Sequence, residues 1–268
     1  MEKRFLIVAD DFTGANDTGV QLKRYGIPVE VLLDGKQSPG DISLVLDTES
    51  RALMAGAAGR KVKRMLEGVE LSEFSFVIKK VDSTLRGNVA EEIAALDAVY
   101  QSELIVFAPA FPDLGRTTVR GVHQLHGVRI SETEIGCDPK NPVLEDRLEQ
   151  ILRAAFEEDV RQYGLSEIRG SLHLGEARIC CFDSETNDDM QGVVRTAMAS
   201  GKRVLWVGSA AIADMLLRTL RQVRPAFAIC GSVSDVTRRQ IHTAQQAGIH
   251  LVSVPVPEFL HGDAKKET

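Results

Sequence analysis

Long apolar runs and cysteines in CxxC spacing are both missing from this sequence of 268 residues. A membrane-spanning helix requires roughly 20 consecutive apolar residues, and no run comes close to that length. We therefore expect no membrane partner and a cytoplasmic location. The four cysteines form no CxxC pair, a spacing typical of zinc and redox sites, so free thiols in a reducing compartment are the expected state.

Short motifs of several large enzyme classes are absent as well. The sequence contains neither GxxxxGKS/T nor GxGxxG, the glycine-rich loops that bind nucleotide phosphates in the commonest folds. It also lacks GxSxG, which would indicate a hydrolase serine. The six histidines show no ligand spacing with cysteine or acidic residues, so no metal site built by the protein is predicted.

The charge balance is mildly acidic, with 32 Lys and Arg against 38 Asp and Glu and a formal net charge of −6. Such a chain is a poor electrostatic partner for nucleic acid, although it is compatible with a small local anion site. Hydrophobic residues at 44% and charged residues at 26% are typical of a folded globular protein. The length favours about two domains.

Short apolar runs alternate with stretches of helical period along most of the chain, which predicts an α/β fold, a parallel sheet with flanking helices. Strands are predicted over 5–9, 29–33, 43–46, 76–79, 104–108, 177–182, 203–207, 227–230 and 249–254. Helices are predicted over 14–25, 52–67, 89–100, 143–163, 188–200, 210–223 and 235–247. A hairpin over 121–130 and irregular segments over 136–142 and 164–175 interrupt the alternation.

A domain boundary is predicted near Pro225, where a helix ends and a new strand begins after the proline. We expect a first domain over 1–224. Residues 225–268 contain only two predicted strands and one helix, too little for an independent core. They are predicted to be the start of a second, incomplete domain.

Polar side chains cluster where predicted strands end, which is where doubly wound sheets bind ligands. Asp10 and Asp11 follow the first strand. Paired carboxylates there can accept hydrogen bonds from substrate hydroxyls, bind Mg²⁺ or remove a proton, while capping of the next helix is the structural alternative. Arg51 follows the third strand, where its guanidinium suits a substrate carboxylate or forms a surface ion pair with Asp47 or Glu49.

A further polar loop, 79–88, brings basic, acidic and hydroxyl groups to one strand end. Its members are Lys79, Lys80, Asp82, Ser83, Thr84 and Arg86. Burying so many polar groups is costly unless a ligand pairs with them, which favours a polyhydroxy acid or a phosphate over a solvated turn. A fourth loop over 110–121 offers two arginines and two threonines, and Gly-Ser turns at 208–209 and 231–232 open helices where an anion can bind.

Several of these segments together resemble one known family. The strings ADDFTGAND at 9–17, KKVDSTLRGN at 79–88, PAFP at 109–112, GRTT at 115–118 and GVH at 121–123 are similar, in this order, to the four-carbon acid sugar kinases. That family includes D-threonate, D-erythronate and 3-oxo-tetronate kinases. Segments at 183–186, 208–211 and 231–234 resemble it as well.

The resemblance implies two α/β domains, with a sugar-acid site in the first and an ATP site in the second. Phosphate would be transferred to a terminal hydroxyl of the acid, with Mg²⁺ accompanying ATP. The residues implied to bind the sugar acid are Asp10, Asp11, Arg51, Lys80, Asp82, Ser83, Thr84, Leu85 and Arg86. Those assigned to catalysis are Asp10, Asp82 and Arg86, and those assigned to the start of the ATP site are Ser232 and Ser234. The expected partner is a small sugar acid, with a homodimer as a possible assembly.

Members of this family continue well beyond residue 268, through further glycine-rich segments of the nucleotide-binding domain. We therefore expect this chain to carry the sugar-acid half and only the opening of the ATP half. Two alternatives to an active kinase stay open: a catalytically incomplete sugar-acid-binding module, and an interaction protein of the same fold.

Overall fold

The protein is described by a computed structural model over residues 3–33, 41–220, 230–231, 234–246, 249 and 251–252. The chain divides into two compact units, residues 1–222 and 223–268. The domain limits expected from the sequence, 1–224 and 225–268, stay a prediction.

The first unit contains eleven strands among its described residues. They are β1 (Phe5–Ala9), β2 (Val29–Leu32), β3 (Ser43–Asp47), β4 (Phe76–Lys80), β5 (Leu104–Ala108), β6 (Arg116–Val119), β7 (Val122–Leu125), β8 (Val128–Arg129), β9 (Val160–Tyr163), β10 (Ile179–Phe182) and β11 (Val204–Gly208). Eight of them form one parallel sheet in the order β2-β3-β1-β4-β11-β5-β10-β9, and β6, β7 and β8 form a small antiparallel sheet. The α/β fold with a parallel sheet is thereby confirmed.

Helices cover both faces of the parallel sheet. They are α1 (Phe12–Arg24), α2 (Ala55–Met65), α3 (Val89–Tyr100), α4 (Leu148–Arg153), α5 (Leu165–Arg169), α6 (Asn187–Ala199) and α7 (Ala210–Leu220). Phe5 and Ile7 of β1 belong to a core shared with α1, α6 and α7, whereas Leu6 and Val8 belong to a core shared with α2, α3 and α4. Consecutive apolar residues are what a strand buried on both faces requires. Among the described residues, no helix combines the length and the apolar character needed to cross a membrane.

The long helix predicted over 143–163 is wrong. Only Leu148–Arg153 is helical, and Val160–Tyr163 is the edge strand β9, paired in parallel with β10. Leu144, at an apolar position of the predicted helix, is 87% exposed. Pairing with the edge of the sheet overrides the helical spacing, because strand formation depends on the neighbouring strand more than on local pattern.

The strand order places a switch point between β1 and β4. The connection after β1 runs through α1 to β2 on one side, whereas the connection after β4 runs through α3 to β5 on the other. The helices α1 and α3 lie on opposite faces of the sheet. A crevice therefore opens beyond the carboxyl ends of these strands, the place where open α/β sheets bind ligands.

The small antiparallel sheet is attached to the carboxyl end of β10 by Asp183. This carboxylate accepts hydrogen bonds from the backbone N–H groups of Arg120 (2.7 Å) and Gly121 (2.8 Å), two residues in the left-handed conformation. The predicted hairpin is confirmed as β7 and β8, with His126 and Gly127 between the two strands. The pairing of β6 with β7 adds a third strand that the sequence pattern did not indicate.

The second unit has one described helix, α8 (Asp235–Gln246), which confirms the helix predicted over 235–247. None of the residues of α8 is buried. The strands predicted over 227–230 and 249–254 fall largely outside the described residues, and their described members are not in strands.

Candidate active site

A pocket of about 230 Å³ lies at the switch point. Five of its six charged residues come from the carboxyl ends of three neighbouring strands: Asp11 after β1, Arg51 after β3, and Lys80, Asp82 and Arg86 at the end of β4. The other lining residues are Thr13, Gly14, Asp17, Ser83, Phe111, Leu114, Ser209 and Ala210. The predicted convergence of the first three polar loops at one sheet edge is thus found in the structure.

Asp10 and Arg51 form a two-point ion pair behind the pocket wall. Arg51 donates from Nε to Asp10 Oδ2 at 2.7 Å and from Nη2 to Asp10 Oδ1 at 3.0 Å. Asp10 is 3% exposed and is not part of the pocket lining. Its position identifies it as the group that orients Arg51, since a bidentate pair fixes the plane of the guanidinium.

Asp11 has two partners at once. Its Oδ1 accepts a hydrogen bond from Gly14 N at 2.9 Å and so caps α1, and its Oδ2 lies 2.7 Å from Arg51 Nη1. Of the two sequence alternatives for this aspartate pair, helix capping is found at Asp11, and the role of the pair in ligand binding stays a prediction. The alternative for Arg51, a surface pair with Asp47 or Glu49, is replaced by partly buried pairs with Asp10 and Asp11.

Asp82 is held in its charged form by arginine. Arg86 donates from Nε to Asp82 Oδ2 at 2.7 Å, and Arg51 Nη2 lies 3.9 Å from Asp82 Oδ1. Burial opposes ionisation, but the hydrogen bond from Arg86 and the charge of Arg51 outweigh it and lower the pKa of Asp82 to about 2. Asp82 is therefore an ionised hydrogen-bond acceptor at neutral pH.

Lys80 is the third cation of the pocket. Its side chain lies on the face of the sheet opposite to that of Lys79, since successive residues of a strand alternate between faces. Its Nζ donates to Val81 O at 2.8 Å. Burial lowers the pKa of this amine, although the charges of Asp10 and Asp82 partly oppose the shift. Gly14 leaves room for it, because a Cβ there would lie 2.9 Å from Lys80 Nζ.

A buried ion pair between Lys79 and Glu92 lies beneath the site. Lys79 Nζ and Glu92 Oε2 are 2.7 Å apart, and both side chains are at most 1% exposed. Ser50, which precedes Arg51, donates from Oγ to Glu92 Oε1 at 2.7 Å. This pair ties β4 and α3 to the loop that carries Arg51.

Thr84 and Leu85 differ from the other predicted ligands of the sugar acid. Thr84 is 3% exposed and donates its hydroxyl to Asp82 Oδ2 at 2.5 Å, whereas the Leu85 side chain packs in the hydrophobic core. Neither lines the pocket. Ser83 does, and the predicted roles of all these residues stay predictions.

Two contributions to the site come from residues that are not among the ligands predicted from the sequence. Asp138, in the irregular segment, places Oδ2 3.7 Å from Arg86 Nη1; an isolated aspartate in a loop carries no sequence signal for that position. Ser209 lines the pocket from the Gly-Ser turn after β11 and donates to Ala110 O at 2.8 Å. That turn was detectable as a strand-to-helix anion motif.

The predicted ATP residues are only partly described. Ser232 lies outside the described residues, and Ser234 accepts a hydrogen bond from Thr237 N at 3.2 Å in the manner of a helix cap. Across the described part of the chain, no group of three or more His, Cys, Asp or Glu could hold a metal ion. A Mg²⁺ ion bound together with a nucleotide needs only one or two carboxylates from protein, and Asp11, Asp17 and Asp82 line the pocket, so their donor chemistry fits such an ion.

The chain matches one family model and several named relatives of the same kind. Residues 5–216 match the model of the family described as "Sugar-binding N-terminal domain". The chain is 35% identical to the D-threonate kinase of Salmonella typhimurium, over 98% of this chain and 66% of that protein. It is 32% identical to the D-erythronate kinase of Heliobacterium modesticaldum, over 90% of this chain and 60% of that protein. The chain thus spans about two thirds or less of the length of these two relatives.

Among solved structures, a domain of unknown function from Bordetella bronchiseptica is 28% identical, with a TM-score of 0.72 over 95% of this chain and 66% of that one. That protein was crystallised with bound citrate as a domain-swapped dimer. A Haemophilus influenzae protein that is 18% identical has a TM-score of 0.70 and shares the fold.

The family match covers the whole sheet and every strand that borders the pocket, and the relatives carry the names of four-carbon acid sugar kinases. The chain therefore belongs to the four-carbon acid sugar kinase family, through its sugar-binding N-terminal domain.

Proposed function

We propose that this chain binds a four-carbon sugar acid of the threonate, erythronate or 3-oxo-tetronate type in the pocket between β1, β3 and β4. The acid would be phosphorylated there at a terminal hydroxyl by ATP. The observation that carries the proposal is the alternation of three cations with carboxylates around one small cavity at the switch point. A ligand with one carboxylate and several hydroxyls can pair with both kinds of group.

Arg86 is the cation best placed to bind an anionic oxygen. Its side chain is 32% exposed, its Nε and Nη2 are used by Asp82, and among the described residues the one acidic group near its Nη1 is Asp138 at 3.7 Å. Arg51 has less freedom, because Asp10 and Asp11 use three of its N–H groups. We therefore propose that Arg86, assisted by Lys80, binds the acid's carboxylate or the transferring phosphoryl group.

Asp82 is the proposed acceptor for the terminal hydroxyl. Because its pKa is about 2, it stays ionised and can orient the hydroxyl oxygen for attack. A strong base is not required, since the transition state of phosphoryl transfer is loose and the hydroxyl proton can leave late. Asp10 contributes by holding Arg51 in place.

ATP and Mg²⁺ enter this proposal through the kinase names of the relatives. When bound, ATP supplies the phosphoryl group, and Mg²⁺ neutralises charge on the phosphates while needing only one or two carboxylates from protein. The citrate in the Bordetella bronchiseptica structure supports a small polycarboxylate or sugar acid as ligand, and its dimeric state supports a homodimer.

The binding step is tested by thermal denaturation with D-threonate and D-erythronate. A ligand that binds only the folded state raises the melting temperature, so at least one acid should raise that of the wild type. Arg86→Ala should abolish the rise. Arg161→Ala is the matched control, because Arg161 pairs with Glu167 on the surface and lies outside the pocket; it should keep the rise.

Retention of the full shift by Arg86→Ala, with Arg161→Ala behaving identically, would overturn the assignment of Arg86. If neither acid shifts the wild type, the proposed ligand class is wrong. ADP formation from ATP and Mg²⁺ that depends on the acid then separates an active kinase from a binding module.

A further inference from the structure

The loop that carries Asp82 and Arg86 has a strained backbone. Leu85, in its middle, has a φ of 63° although it is not a glycine, a conformation that is strained for a residue with a side chain. Inside the loop, Leu85 N donates to Asp82 O at 2.9 Å and Arg86 N lies 3.4 Å from Asp82 Oδ2. Strain of this kind persists only where surrounding structure holds the chain.

A buried histidine supplies such a hold from the small antiparallel sheet. His123 of β7 is fully buried, and its Nε2 lies 2.9 Å from the carbonyl oxygen of Ser83. Its Nδ1 lies 2.9 Å from Thr118 Oγ1 on the neighbouring strand β6. Thr118 in turn exchanges two backbone hydrogen bonds with Ser184 beyond β10, each of 2.9 Å.

The partners of the ring determine its tautomer. A carbonyl oxygen can only accept, so Nε2 must carry the hydrogen that is donated to Ser83, and Nδ1 must then accept from the Thr118 hydroxyl. Burial lowers the pKa of His123 to about 4, although the hydrogen bond to Ser83 and the charges of Asp82 and Asp146 oppose the shift. The ring is therefore neutral at physiological pH and offers one donor and one acceptor, each of which is used.

We propose that His123 is a positioning residue of the candidate site: its Nε2–H holds the Ser83 carbonyl and thereby keeps the 82–86 loop in the conformation that presents Asp82 and Arg86 to the pocket. Thr118 acts with it, because its hydroxyl stabilises the tautomer that carries the hydrogen on Nε2. This inference rests on the proposed function, since it concerns the loop that would bind the sugar acid.

Two variants of similar polarity separate positioning from general packing. In His123→Gln the side-chain amide nitrogen replaces Nε2 and can still donate to Ser83, whereas in His123→Asn the shorter amide reaches only the position of Nδ1. Calorimetric titration of the full chain with D-threonate and D-erythronate should give His123→Gln a dissociation constant close to wild type. His123→Asn should bind about tenfold more weakly or worse, the effect of losing one hydrogen bond that orders the loop.

Equal binding by His123→Gln and His123→Asn, each folded by circular dichroism, would overturn the proposal. If the wild type binds neither acid, the proposed function has failed. That failure is distinguishable from failure of the role given to His123, because it is seen in the wild type without either variant.

A second measurement uses the wild-type protein alone and does not depend on the variants folding. The proposal predicts that the imidazole ¹⁵N spectrum of His123, assigned through the backbone resonances of the same residue, shows hydrogen on Nε2 and none on Nδ1 throughout the neutral range. A ring protonated on Nδ1, or one that titrates near the ordinary histidine pKa of about 6.5, would contradict the positioning role proposed for His123.

Discussion

Lys79 and Lys80 are adjacent in the sequence but have opposite environments in the structure. Successive residues of a strand point to opposite faces, so Lys79 enters the core beside Glu92 and Lys80 enters the pocket. The sequence shows that two basic residues stand at a strand end but does not show which of them enters the core. That depends on Glu92, thirteen residues later on α3, whose partner is visible only once α3 packs on the sheet.

Asp47 at the end of β3 is a buried carboxylate with an incomplete set of partners. Its Oδ1 accepts from Glu49 N at 3.0 Å, whereas its buried Oδ2 has no hydrogen-bond partner within the described part of the chain. Burial raises the pKa of Asp47 to about 6. Because the folded-state pKa lies above the unfolded value of about 3.9, the folded protein must hold an unfavourable buried charge above pH 6, and its stability falls as the pH rises from about 4 to about 7.

Asp47→Asn removes this pH dependence while keeping the acceptor at Oδ1. We expect the free energy of unfolding of the variant minus that of wild type to be about 1–2 kcal/mol larger at pH 8 than at pH 4.5, because only wild type loses stability as the pH rises. Urea denaturation at the two pH values measures it. A difference that does not change between the two pH values would show that the Asp47 carboxyl titrates normally.

At the scale of elements, the first turn of α1 determines how closely the side chains of Asp11 and Lys80 can approach the helix backbone. Gly14 in its first turn donates to Asp11, and a Cβ there would lie 2.6 Å from Asp11 Oδ1 and 2.9 Å from Lys80 Nζ. A glycine inside a helix normally costs about 1 kcal/mol relative to alanine. Here a glycine is required because the side chains of Asp11 and Lys80 lie too close to leave room for a Cβ.

Gly14→Ala should therefore weaken sugar-acid binding and lower the melting temperature, despite the better helix propensity of alanine. Gly19→Ala is the control on the same helix, since its Cβ would meet only Val45 Cγ2 at 3.6 Å and Val31 Cγ2 at 3.8 Å, ordinary contacts. That variant should be more stable by up to about 1 kcal/mol and bind normally. Thermal denaturation with and without the acid measures both effects. A Gly14→Ala protein as stable and as able to bind as Gly19→Ala would refute the role given to the close approach.

Elements were predictable where local pattern and sheet pairing agree. Phe5–Ala9 and Leu104–Ala108 were predicted at their observed bounds because both are continuous apolar runs buried on both faces. The error at 143–163 arose because an edge strand, exposed on one side, can have the same apolar spacing as a helix. The third strand of the small sheet, β6, is rich in polar residues and offers no apolar alternation from which to predict it.

At the scale of the molecule, the rule that ligands bind at carboxyl strand ends predicted which loops would meet, and the pocket lies there. It could not predict that Asp10 would stand behind Arg51, because both residues come from loops and their pairing depends on side-chain geometry. The contacts of His123 and Asp138 with the 82–86 loop were equally inaccessible, since they depend on how the segment after β5 folds back over the sheet.

The central claim is that the pocket at the switch point binds a four-carbon sugar acid between Arg86 and Asp82. The most direct test is a crystal structure of the full chain grown with saturating D-threonate or D-erythronate. The account predicts the acid in this pocket, with an anionic or hydroxyl oxygen on Arg86 and a hydroxyl on Asp82. An acid bound elsewhere on the protein, or a pocket that stays without the acid at saturation, would contradict it.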